Sequence, residues 1–184
     1  MPVFIALIRG INVSGHNPVK MERLRASFEA LGFHNVQTYV QSGNVVFKAA
    51  RAPASGLAGQ IAGRILADFG YTVVVVTRTA AELKAVADKN PWLKEPGVDE
   101  SKLHVTFLAS AAPKTADALL TPLAAPGERC LVRGGEVYLY CPHGYGRTKL
   151  SNAAIEKKLS VPATTRNWRT VTTLVAMADA GQAH

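Results

Sequence analysis

No stretch of this 184-residue chain is apolar over the roughly 18 residues that a membrane-spanning helix requires. The longest candidate, residues 71–76, is the size of a strand. The chain has only two cysteines and five histidines. His16, His34, His104, His143 and His184 show no metal-ligand spacing, and no His/Cys cluster accompanies them. A Gly-x-Ser-x-Gly nucleophile elbow is missing as well. Gly10 and Gly15 have the spacing of a phosphate-binding P-loop, but His16 and Asn17 stand where Lys and Ser/Thr belong. Charged residues are scarce at 18%, too few for a disordered chain or a coiled coil. These absences remove membrane, metal, serine-nucleophile and P-loop chemistry from the expected functions. No cofactor is expected.

Acidic residues are the scarcer sign, at 13 against 21 Lys and Arg, which leaves a net charge of +8. The excess is uneven: residues 1–78 carry +5, residues 79–142 carry −1, and residues 143–184 carry +4. Two basic ends around a neutral middle suit phosphate or nucleic acid, and equally a solvated basic surface. The first ten residues have no basic leader, and their apolar run is short for a signal peptide, so the expected location is the cytoplasm.

Hydrophobic patterning predicts an α+β protein of two small lobes, residues 1–78 and 79–184. Residues 3–8 form a continuous apolar run and read as a buried strand. Met21, Leu24, Phe28 and Leu31 have helical spacing over residues 20–31, and Gly32 stops that helix. Val36, Thr38 and Val40 alternate as in a strand, and residues 44–48 make the next, with Ser42 and Gly43 read as a tight hairpin turn. A helix over residues 53–69 and a β-branched strand over residues 72–76 complete the lobe. The order β-α-β-β-α-β is that of a ferredoxin-like fold.

The second lobe reads less completely. Thr79 and Glu82 form a capping box for a helix over residues 79–90. A strand at 103–108, a helix at 114–124, a hairpin at 129–141 turning on Gly134 and Gly135, a helix at 152–159 behind Ser151, and a last helix at 170–180 follow. This is a related α+β arrangement lacking one strand. The hairpin sets Cys130 opposite Leu139 and Cys141 opposite Glu128, a diagonal unsuited to a disulfide, so both thiols are expected to be free.

Four loops carry polar residues of chemical interest. Arg9, Gly10, Asn12, Ser14 and Gly15 leave the first strand. There, glycines permit close backbone approach, Arg9 suits an anion, and Asn12 offers directional bonds. Gln41 to Asn44 hold the hairpin turn, with Gln41 unusual among turn residues. His143, Tyr145, Arg147 and Lys149 occupy a glycine-containing loop. Arg166, Asn167 and Trp168 precede the last helix, whose N-terminus favours anions. Turn and cap chemistry accounts for many of the same residues. None of these loops contains a carboxylate pair for acid–base work, which favours binding over catalysis.

Together these residues resemble a known family. They are Arg9, Gly10, Ile11, Asn12, Val13 and Gly15; Lys20, Met21 and Leu24; Thr38, Tyr39 and the run from Gln41 to Phe47; then Gly144, Tyr145, Gly146, Lys149 and Leu150, and Thr165, Arg166, Asn167, Trp168, Thr170 and Val171. With them the chain is similar, over nearly its whole length, to the bacterial domain of unknown function 1697 family. Ser14 departs from the family pattern, which has glycine there. The resemblance implies two small α+β lobes, ferredoxin-like in part. It brings no established activity, so no catalytic role is carried over.

The expected function is a cytoplasmic binding protein that takes an anionic ligand, a nucleotide or phosphorylated metabolite, in an inter-lobe groove. Arg9, Lys149 and Arg166 would supply charge. Asn12, Gln41, Asn44 and Asn167 would supply hydrogen bonds, and Tyr145 or Trp168 a stacking face. One alternative is single-stranded RNA or DNA binding, with bases stacked on Tyr39, Phe47, Tyr138 or Tyr140. Another is a metal-independent enzyme resting on Arg, Lys, Tyr or His143.

Overall fold

A computed structural model describes residues 1–50 and 54–183 of the chain, with the side chains of residues 54 and 55 outside the description. The chain divides into two compact units, one of residues 1–85 with 173–184 and one of residues 86–172.

The first unit is built on β1 (Val3–Arg9), whose residues are buried up to Ile8. A strand buried on both faces has no polar alternation, which is why it reads as a plain apolar run. β2 (His34–Tyr39), β3 (Asn44–Lys48) and β4 (Val74–Thr79) complete an antiparallel sheet in the order β2-β3-β1-β4. Helices α1 (Met21–Glu29) and α2 (Ala54–Phe69) supply the two crossings. Phe4, Ala6 and Ile8 of β1 pack with Val45 and Phe47 of β3, Leu24 and Phe28 of α1, and Leu57, Ile61 and Ile65 of α2. Phe47 sits at the middle of this layer, with its ring centroid 4.7 Å from Phe33, 5.3 Å from Phe28 and 5.9 Å from Phe4. Burying one such ring stabilises the unit by roughly 2–3 kcal/mol. The β-α-β-β-α-β order and the sheet order are ferredoxin-like. Pro53, the expected start of α2, lies outside the described residues.

One expectation fails at the hairpin. Tyr39 pairs with Asn44, so four residues, 40–43, connect β2 and β3 instead of a two-residue turn at Ser42 and Gly43. Val40 reads as a strand residue because it is β-branched and continues the alternation. It sits instead at φ 49°, in the left-handed region.

α3 (Ala80–Asp88) opens with the expected capping box. The Glu82 carboxylate accepts from Thr79 N at 2.7 Å, and Glu82 N donates to Thr79 Oγ1 at 3.1 Å.

The second unit repeats the topology. β5 (Leu103–Leu108) is central, with β6 (Arg129–Arg133), β7 (Glu136–Tyr140) and β8 (Ala163–Asn167) in the order β6-β7-β5-β8. α4 (Ala116–Leu120) and α5 (Asn152–Leu159) supply its crossings. The strand expected to be lacking is therefore present: β8 pairs antiparallel with β5. Ala-Thr-Thr-Arg-Asn offers no apolar alternation, because β8 is an edge strand with a single neighbour. α4 is shorter than expected and continues as a 3-10 turn at Thr121–Leu123. Pro122 lacks the N–H that a continuing α-helix would use. The last helix, α6 (Trp168–Gln182), starts two residues earlier than expected, with Asn167 Oδ1 accepting from Thr170 N at 2.8 Å.

Cys130 lies opposite Leu139 as the hairpin predicts, and both cysteines are free. Among the described residues, no helix is long and apolar enough to cross a membrane.

Candidate functional site

The first candidate region forms at one end of the first sheet. β1 ends at Arg9, and Gly10 turns the chain at φ 83°. Ser14 and Gly15, both left-handed at φ 49° and 78°, make a two-residue turn. It is closed by His16 N donating to Val13 O at 2.8 Å and by Asn12 N donating to Asn17 O at 3.1 Å. The Asn17 amide donates back to Gly10 O at 2.8 Å.

Asn12 then ties this miniature hairpin to its surroundings. Its Oδ1 accepts from Val19 N at 2.7 Å. Its Nδ2 donates to Val19 O at 2.8 Å and to Gln41 O at 3.0 Å. The last bond joins the β1–α1 loop to the β2–β3 connection. Gly43 seats that connection on β1, with Ile8 N donating to Gly43 O at 2.8 Å. A Cβ at position 43 would stand 2.5 Å from Ile8 O, so only glycine fits this φ of 76°. Asn44 is fully buried and donates to Tyr39 O at 3.2 Å and Ser42 Oγ at 2.9 Å.

The four predicted residues Arg9, Asn12, Gln41 and Asn44 therefore lie together, in two unlike roles. Asn12 and Asn44 direct their amides at the main chain and build the loops. Gln41 is exposed, and Arg9 is half-buried at the strand end. Six non-glycine residues are left-handed among the described residues, and four of them, Asn12, Ser14, Asn17 and Val40, sit in these two loops. Each such residue costs on the order of 1–3 kcal/mol and persists only where neighbours hold it. The charge is one-sided too. The sequence has no Asp or Glu in residues 1–21 or 30–67.

The second region forms around His104 on β5. Tyr145 begins the short 3-10 turn Tyr145–Arg147, behind Gly144 at φ 95°. Its ring stacks on His104, with centroids 4.7 Å apart and planes at 22°. The Tyr145 hydroxyl accepts from Asn152 N at 2.9 Å, at the start of α5. The Asn152 side chain donates to Ala163 O at 3.0 Å and accepts from Thr165 Oγ1 at 2.9 Å. Thr165 in turn meets Thr106 Oγ1 at 2.7 Å. Asn167 lies opposite His104 in the β5–β8 register, so Tyr145 and Asn167 share one corner of the unit. Lys149 is exposed on the same segment as Tyr145.

Arg166 and Trp168 are placed differently. Alternation along β8 turns Arg166 to the sheet face opposite Thr165 and Asn167. Its guanidinium donates to Thr164 Oγ1 at 2.6 Å and to Thr165 O at 2.9 Å. Burial pushes it down to about 10, which still leaves it charged at neutral pH. Trp168 is 4% exposed, so its ring is a packing element.

Sequence reasoning gave no site role to His104 or Asn152, and named Thr165 in its motif without its partners. The one available signal was a histidine interrupting an otherwise apolar strand, on the same face as Thr106. Burial lowers the His104 pKa, and a backbone bond with Lys102 opposes that shift. Its Nδ1 is buried and has no hydrogen-bond partner.

Other chemistry is sparse. Among the described residues, no group of three or more His, Cys, Asp and Glu is placed to hold a metal ion. Two of the four aromatics considered for base stacking are inside: Phe47 is fully buried, and Tyr138 is 2% exposed with its hydroxyl donating to Val86 O at 3.2 Å. A cleft of about 540 Å³ in the first unit is lined by Met1, Lys48, Thr79 and Gln182 among others, and by none of the nine predicted residues.

A family model described as "Protein of unknown function (DUF1697)" matches residues 1–138. That stretch contains the Arg9 and Gln41 motifs and ends ahead of Tyr145 and Arg166. The solved structure of conserved bacterial protein SP0830 from Streptococcus pneumoniae is similar, with a TM-score of 0.73 at 20% identity, covering 96% of this chain and 98% of that one. That likeness is one of fold. No curated protein matches the chain.

Proposed function

The chain belongs to the DUF1697 family of proteins of unknown function, and on that footing we propose that it is a cytoplasmic binding protein for an anionic ligand, a nucleotide or a phosphorylated metabolite. Two candidate contacts follow, each within its own unit: the Arg9 and Gln41 loops of the first, and the Tyr145 and Lys149 segment of the second. One observation carries this reading: four left-handed non-glycine residues are concentrated in two loops that Asn12 bonds together. Strain held in one place by a dedicated brace is the mark of a preorganised contact surface. The sign of the ligand follows from the sequence around these loops, where residues 1–21 contribute Arg9 and Lys20 and contain no Asp or Glu.

Binding is favoured over turnover because the predicted residues include no nucleophile–base pair and no paired carboxylates. A single-stranded nucleic acid would have to bind without Phe47 and Tyr138, which are buried.

The test is a thermal-shift panel of inorganic phosphate, pyrophosphate, nucleoside mono- and triphosphates and sugar phosphates on the full chain. At least one is expected to raise Tm, and Gln41→Ala or Lys149→Ala, both at exposed positions, is expected to reduce that shift, according to which unit takes the ligand. Shifts that are the same in wild type and both variants refute these contacts.

A further inference from the structure

Residues 141–151 run from the end of β7 to α5 as a strap, and they carry Tyr145 and Lys149. The strap is fastened at several points. His143 Nε2 lies 3.0 Å from Pro126 O, and Thr148 Oγ1 donates to Glu128 Oε2 at 2.9 Å. Leu150 is fully buried. Between these points the fastening is the Tyr145 ring on His104, with the Tyr145 hydroxyl then holding Asn152 N.

That fastening depends on a neutral imidazole. With its proton on Nε2, His104 leaves Nδ1 as a buried acceptor with no partner. A second proton would place a charge on a largely buried ring, where the Lys102 backbone is the group that favours it. The other neighbours do not compensate. Leu139 of β7 and Asn167 of β8 are its register partners, and neither is charged. Lys102, the charge felt at the ring, repels a second cation. The Glu128 carboxylate is engaged by Thr148 and by Ala125 N. His143, Arg147 and Lys149 on the strap add only further cations or potential cations. Attraction of a cation to the Tyr145 face and the Lys102 backbone bond are the opposing effects, and burial outweighs the backbone bond.

We infer that His104 is an acid-sensitive latch: its protonation breaks the stack with Tyr145 and frees the strap that carries Tyr145 and Lys149. Resting on the ligand reading above, this makes the second-unit contacts competent at neutral pH and released in acid. The sign agrees with burial. A histidine whose folded pKa lies below 6.5 contributes stability that is present above 6.5 and is lost as pH falls through the folded value.

The experiment is amide hydrogen exchange on the full chain, without ligand, at about pH 7.5 and about pH 5.5, corrected for intrinsic rates. The readout is the Asn152 amide against the β5 amides. In wild type its relative protection is expected to fall by up to about tenfold at the lower pH, the ceiling for one proton on an imidazole that titrates at 6.5 once released. In His104→Phe, which keeps a stacking ring and cannot titrate, it is expected to stay constant. In Tyr145→Phe, which keeps the ring and loses the hydroxyl, it is expected to be low at both pH values. Constant wild-type protection overturns the latch, and so does an equal fall in wild type and His104→Phe. If His104→Phe does not fold, Tyr145→Phe decides: a remaining pH-dependent Asn152 signal overturns the latch. Pyrophosphate binding is measured separately on the same proteins. A latch signal without pyrophosphate binding upholds the latch and counts against the ligand reading alone.

Discussion

The carboxamide of Asn12 donates to the Gln41 carbonyl at 3.0 Å, joining two loops that are 29 residues apart in sequence. The same side chain clamps both polar backbone groups of Val19. Asn12→Ala removes all three bonds and leaves part-buried main-chain groups unpaired. The expected loss is about 1–3 kcal/mol in urea unfolding. Asn12→Asp should cost a comparable amount, because it keeps the acceptor for Val19 N and presents oxygen to two carbonyls. A loss of a few tenths in both variants contradicts the bracing role.

Val40 is 54% exposed and left-handed at φ 49°. Glycine removes the Cβ strain, of about 1–2 kcal/mol, at an entropic cost of about 0.4–1 kcal/mol in the unfolded chain. Val40→Gly is therefore expected to be neutral or mildly stabilising in a melt, unusual for replacing a strand-forming residue by glycine. A clear drop in Tm would show that the valine side chain has a packing role.

Arg166 bears on how its motif is read. Its side chain is half-buried and its guanidinium is bonded to Thr164 and Thr165. Arg166→Ala is expected to destabilise the protein by about 1.5–3 kcal/mol, the range for hydrogen bonds to a charged group. Arg166→Lys should recover only part of that, since an ammonium does not reproduce the planar fork. Chemical denaturation measures both. An Arg166→Ala variant with unchanged stability would mean that the residue is free for ligand.

The two thiols should react unequally. Burial, with Glu128 next, pushes Cys141 up to about 11, and burial also raises Cys130, which is the more exposed of the two. A raised thiol pKa means less thiolate at a given pH. Iodoacetamide at about pH 8 should label Cys130 slowly and Cys141 hardly at all until the protein is unfolded. Mass spectrometry of the labelled peptides reads the order, and faster labelling of Cys141 contradicts it.

How far the sequence foretold this structure depends on where each residue sits in its sheet. β1 and β5 are central and buried, so their apolar runs were legible. β8 is an edge strand of Thr, Arg and Asn, and its strand character comes from its neighbour β5. Val40 misled for the opposite reason, since its β-branched side chain fits a strand while the hairpin needs a left-handed turn there. In the candidate site, polar residues at loops were visible. What their amides bond to was not, because the partners of Asn12 lie 7 and 29 residues away. His104 was hidden because its importance comes from Tyr145, 41 positions further along, stacking on it.

The most direct test of the ligand reading is calorimetric titration of the full chain with inorganic pyrophosphate at about pH 7.5, with wild type beside Gln41→Ala and Lys149→Ala. The account predicts saturable heat for wild type that weakens with added salt, and about tenfold weaker binding in the variant of whichever contact takes the pyrophosphate, or roughly 1.4 kcal/mol. No saturable heat at millimolar pyrophosphate, or equal affinity in all three proteins, would contradict it.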